Sequence, residues 1–143
     1  MKLISHRGNI NGPNPELENR PDYLTQAFNL GFQVEVDVWK IDNDLFLGHD
    51  NPTYKVDLDF IQNKPFWCHA KNLESFHYLL ENNIVCFWHQ NDDFTLTSNG
   101  YIWTYPNKEV TNKSIIVCLD ENLPNESIKN ITYGICGDNV GSW

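Results

Sequence analysis

Three short clusters in the first third of the chain carry residue types suited to acid–base and cation chemistry: His6-Arg7-Gly8, Glu35-Val36-Asp37 and His49-Asp50. Imidazole can move a proton near neutral pH. A guanidinium matches phosphate oxygens two at a time, and a glycine beside it lets the backbone approach closely. Glu35 and Asp37, two apart in an extended segment, share one face. Carboxylates held that close repel unless a cation or a proton lies between them, and hard divalent cations take such oxygens. If His6 and His49 flank one phosphorus, one can serve as base and the other as acid, the division of labour that transesterification at phosphorus needs. Taken singly, each cluster also fits a plain role: a solvated edge-strand face for the carboxylates, ordinary loops for the histidines.

The elements that must position these groups are short. Residues 32–39 alternate, with Phe32, Val34, Val36 and Val38 on one face and Gln33, Glu35, Asp37 and Trp39 on the other. Asp42-Asn43-Asp44 reads as a turn, and Leu45-Phe46-Leu47 returns to His49 as a hairpin. Further apolar runs lead to polar ends: 66–68 to His69 and Lys71, 84–88 to His89, 101–103 to Thr104, 115–119 to Asp120, and 131–136 to Asp138. Two helices are expected. One starts at Pro21, with Leu24, Ala27 and Phe28 at helical spacing and Gly31 as its stop. The other is capped by Asn72, with Leu73, Phe76 and Leu80 as its apolar stripe. Seven or eight strands with reactive residues at their carboxyl ends predict a compact TIM-type (β/α) barrel, with several outer helices missing or shortened because an ordinary barrel needs roughly 200 residues or more. An open α/β sheet is the competing architecture.

Composition narrows the partners. The 143 residues fit a single domain with a real core, and 41% of them are hydrophobic. A formal net charge of −9 without any basic run argues against a nucleic-acid backbone as partner. A small phosphate ester stays compatible, because one local cation overcomes the global charge. The four cysteines, Cys68, Cys86, Cys118 and Cys136, form no CxxC pair and sit in or beside apolar runs. They read as buried free thiols suited to a reducing compartment. The first residues turn polar too soon for a signal peptide, and no run has the length of a membrane span. The expectation is a cytoplasmic protein without stable membrane insertion.

The order and spacing of the clusters resemble the glycerophosphodiester phosphodiesterase family, within the wider superfamily of phosphatidylinositol-specific phospholipase C-like phosphodiesterases. The family reads His-Arg-Gly, Pro-Glu-Asn, a helix ending in Gly, Glu-x-Asp-Val, then a turn and His-Asp. This chain offers His6-Arg7-Gly8, Glu18-Asn19, Gly31, Glu35-Val36-Asp37-Val38 and His49-Asp50, continuous from residue 6 to 50. Beyond that, Cys68-His69-Ala70-Lys71 stands where the family has Ile-Glu-Ile-Lys. Trp103-Thr104 resembles a late Trp-Thr element, and Gly134-Ile135-Cys136-Gly137-Asp138 resembles the closing strand.

The resemblance implies a phosphoric diester hydrolase acting on a small glycerophosphodiester-like substrate. His6 and His49 would be the acid/base pair, with Arg7, Lys71 and Trp103 on the substrate. Glu35, Asp37 and His69 would ligate a divalent cation, and Glu18 would support the site. Magnesium, calcium or manganese is the expected cofactor, with a softer metal suggested by His69, which replaces the family's usual third carboxylate. A lyase that stops at the cyclic phosphate and a non-catalytic phosphodiester- or metal-binding protein are the alternatives. A homo-oligomer that covers bare barrel edges is a further expectation.

Overall fold

A computed structural model describes residues 1–119 and 123–143. Asp120, a strand-end residue in the sequence reading, lies outside the described residues.

The backbone of the architecture is a set of parallel strands. β1 (Lys2–His6) pairs in parallel with β2 (Gln33–Ile41) on one side and β10 (Gly134–Gly137) on the other. β2 continues to β5 (Phe66–Ala70) and then β6 (Cys86–Phe87). β10 continues to β9 (Ser114–Cys118) and β8 (Ile102–Thr104). Three further strands run antiparallel: β3 (Asp44–Leu47) on β2, β4 (Tyr54–Val56) on β3, and β7 (Phe94–Leu96) on β8.

The expected TIM-type (β/α) barrel is therefore corrected. Among the described residues the sheet is mixed and curves into a half-barrel with four short α-helices. The helices are α1 (Pro21–Asn29), α2 (Leu58–Gln62), α3 (Leu73–Glu81) and α4 (Glu126–Ile131). The physical reason is chain length between strands. Between β6 and β9 the β7–β8 hairpin divides the chain into connections 88–93, 97–101 and 105–113, each shorter than the dozen or so residues a helical crossover needs, so antiparallel pairing takes the place of helix-on-sheet packing. Among the described residues no ladder joins β6 to β8; instead Ser98 exchanges backbone and side-chain hydrogen bonds with Cys86 at that margin.

Two cores lie on opposite faces of the sheet. Val34, Val36 and Val38 are fully buried and pack with Leu24, Ala27 and Leu79 under α1 and α3. Ile4, Trp67, Phe87, Trp103, Ile115 and Cys136 fill the concave side. α1 begins at Pro21 and is followed by Gly31 at φ 94°, as the sequence indicates. α3 carries the expected Asn72 cap as a full capping box with Ser75. Its buried face differs: Ser75 and Leu79 are buried, while Leu73 and Leu80 are exposed. Asn72 fixes this rotation, because its amide also brackets Lys40 of β2, accepting from the Lys40 N–H and donating to the Lys40 carbonyl. Among the described residues no helix is long and apolar enough to cross a membrane.

Candidate active site at the strand ends

The site begins with how one edge of β2 is shared. Through Glu35 that edge pairs with β1, and from Val38 onward the chain pairs it with β3, while β5 runs along residues 34–38. β3 runs antiparallel, so it delivers Gly48 and His49 back toward the carboxyl end of β1, where His6 stands. Gly48 N–H donates to the Asp37 carbonyl, and Trp39 Nε1 donates to the Gly48 carbonyl at 2.7 Å, pinning that return.

One cavity of about 490 Å³ is lined by His6, Arg7, Glu35, His49, His69, Lys71 and Trp103, among others. Seven sequence-predicted site residues thus converge, and Asp37 lies fully buried beside them. Trp103 is only 5% exposed and stacks on Phe87, so it acts chiefly as the floor. Glu18 turns to the first loop. It accepts from Arg7 and from Asn9 and has no contact with Glu35 or Asp37 among the described interactions.

Both histidines are backed by an aspartate. His6 Nδ1 and Asp138 Oδ1 are 2.8 Å apart, as are His49 Nδ1 and Asp50 Oδ1. A carboxylate on Nδ1 selects the tautomer with its proton there and leaves Nε2 for chemistry. Burial lowers the His6 pKa, but the Asp138 hydrogen bond and the Glu35 charge outweigh it and raise the net value above the ordinary 6.5. Burial works to raise the Asp138 carboxyl, and His6 with Asn9 holds it below its ordinary range. At the far side, burial and the His69 charge push His89 down.

The buried carboxylates are held differently. Asn19 grips Asp37 twice, donating to Oδ2 at 2.9 Å and accepting from its backbone N–H at 3.0 Å. Arg7 Nε lies 3.1 Å from the same Oδ2. Asp37 Oδ1 instead faces His69 Nδ1 at 3.1 Å and Lys71 Nζ at 3.8 Å. Burial raises the Asp37 carboxyl, but His69 and Arg7 win and hold it well below the usual range. Glu35, also buried, is pushed up by desolvation and by the Asp37 charge. Burial lowers the Arg7 pKa, yet the Glu35 and Asp37 charges raise it on balance, so the guanidinium stays charged.

Glu35, Asp37 and His69 bring ligand atoms within 4.8 Å of one another. Glu35 Oε2 and Asp37 Oδ1 are buried without a hydrogen-bond donor. Glu35 Oε2, without a hydrogen-bond partner, and Asp37 Oδ1, with only His69 and Lys71 beside it, join an imidazole nitrogen in a donor set that a divalent cation satisfies. The residues present fit the implied metal.

Sequence reasoning assigns no role to the asparagines that hold the site. Asn9 is fully buried and donates to both Glu18 and Asp138. Asn19 sits at φ 63° and is the clamp on Asp37. Neither belongs to a periodic run; Asn19 stands out as part of the Glu18-Asn19 motif, without a role, and Asn9 carries no signal. Asp138 was visible as a strand-end acid, but its pairing with His6 spans the whole chain.

Compared with family models, curated proteins and solved structures, the chain matches none.

Proposed function

We propose that this protein is a metal-dependent phosphodiesterase acting on a small glycerophosphodiester-like substrate. The observation that carries the reading is the shared cavity: two imidazoles, each with Nδ1 on an aspartate, face it together with Arg7, Lys71, Glu35 and His69. Phosphorus transfer needs one proton removed from the attacking hydroxyl and one returned to the leaving oxygen, and His6 and His49 supply those two roles. Arg7 and Lys71 offer cationic donors to the phosphoryl oxygens. Asp138 and Asn9 orient His6, while Glu18 holds Arg7 toward the cavity. Glu35, Asp37 and His69 would hold a divalent cation, which when bound polarises a phosphoryl oxygen and offsets its charge. Four buried thiols support a reducing, cytoplasmic setting.

The test is a screen of small phosphodiesters against several divalent cations, with and without chelator. Turnover that needs metal and disappears in both His6→Ala and His49→Ala is the expected result, and phosphorus NMR then separates a monoester product from a persisting cyclic phosphate. Absence of turnover with every cation overturns the reading.

A further inference from the structure

His69 is the most constrained side chain of the cation cluster. Its Nε2 lies 3.0 Å from the His89 carbonyl oxygen, which can only accept, so Nε2 carries a proton. Its ring stacks on Phe87 at 5.1 Å and 8°, and Phe87 stacks in turn on Trp103 at 4.3 Å. Carbonyl and stack together fix the ring plane and leave Nδ1 aimed at Asp37 Oδ1, 3.1 Å away, and Glu35 Oε1, 3.8 Å away. A ligating imidazole whose other nitrogen donates to a backbone carbonyl is a recurrent device for setting tautomer and direction.

The oxygens opposite have little freedom to adapt. Asp37 Oδ2 is taken by Asn19 and Arg7, which leaves Oδ1 for the cluster. Glu35 is 3% exposed. Calcium takes six to eight oxygens in a flexible shell, and magnesium prefers oxygen and its own waters. Neither gains from a nitrogen locked at one corner. Borderline d-block cations accept imidazole readily.

We propose that Glu35, Asp37 and His69 form a mixed nitrogen–oxygen site that selects a borderline d-block cation, such as iron, cobalt or zinc, over calcium and magnesium, with the locked imidazole of His69 setting the preference. This rests on the cation-cluster reading given above. It concerns binding alone, so it can fail while metal-dependent turnover stands.

Calorimetry on the full chain with each metal alone measures the preference, in the absence of any phosphodiester. Because d-block ions bind most nitrogen and oxygen sites more tightly, the informative quantity is the ratio of cobalt to magnesium affinity in wild type against H69E. That ratio is expected to fall by about tenfold or more when the nitrogen becomes a carboxylate. Pulsed EPR of bound manganese should show nitrogen coupling in wild type, a readout that needs no variant to fold, and H69Q should lose it. An unchanged ratio, a missing nitrogen signal, or no cation binding at all overturns the proposal. The first two leave the phosphodiesterase reading intact if turnover is still metal-dependent; the last removes its cation as well.

Discussion

His6 Nδ1 lies 2.8 Å from Asp138 Oδ1, so an imidazole at the end of β1 is oriented by a carboxylate one residue beyond β10. Asp138 is itself held by Asn9, and its backbone carbonyl accepts from the Gly12 N–H. The result is a braced dyad and not a free surface histidine. Replacing the carboxylate by an amide of the same shape removes tautomer control and the partner charge. Asp138→Asn is expected to lower kcat for phosphodiester turnover by roughly 10²–10³, with a much smaller change in KM. Steady-state kinetics check this, and a loss confined to KM would show that Asp138 does not act through His6.

The same dyad makes stability pH-dependent. His6 is raised above its ordinary 6.5, so its contribution is complete below 6.5 and fades as pH rises through the folded value. Asp138 is lowered below its ordinary 3.8, so its contribution is complete above 3.8 and fades as pH falls through the folded value. The pair is therefore worth most between 3.8 and 6.5. Urea unfolding of Asp138→Asn should show its largest deficit in that window, on the order of 3 kcal/mol, and a smaller one at alkaline pH. A deficit constant with pH would contradict the linkage.

Asn19 combines a left-handed backbone, φ 63°, with two hydrogen bonds to buried Asp37. Asn19→Ala should cost about 2–4 kcal/mol, from stranded carboxylate and backbone strain together. Asn19→Gly should recover only the backbone share. Equal urea midpoints for the two variants would mean that the strain is negligible.

Gly48 stands at φ 150°, and a Cβ there would run into the Asn51 carbonyl oxygen. Gly48→Ala must move the loop that carries His49, at about 1–3 kcal/mol. Turnover is expected to drop sharply while metal affinity stays near wild type, because Glu35, Asp37 and His69 lie on β2 and β5. Parallel titrations of activity and metal binding separate the two effects.

Much of this arrangement is legible in the sequence because it is local. Alternation along β2 places Glu35 and Asp37 together opposite three valines, and Pro21, Gly31 and Asn72 mark helix limits that hold in the fold. The barrel expectation fails on a non-local matter. Strand-end chemistry is the same whether strands are joined by helices or by hairpins, and β4, β7, α2 and α4 are too short to leave a periodic signal. The buried face of α3 fails for a related reason, since a tertiary bracket between Asn72 and Lys40 sets the helix rotation. Asn9 escapes notice, and Asn19 is visible in its motif but without a role, because a polar residue in a loop looks alike whether it is solvated or gripping a buried carboxylate.

The parallel pairing of β1 with β10, from Lys2 opposite Gly134 to Ser5 opposite Gly137, also governs how the molecule can be made. Contacts across nearly the entire chain form slowly, since loop closure must precede any reward from pairing. During synthesis β1 emerges first and its β10 edge stays open until the last strand appears, a period in which an unpaired strand edge can find wrong partners. His6 meets Asp138 only when that edge is filled, so the braced imidazole is among the last features to be assembled, and a chain arrested before β10 would carry the motif residues without the dyad.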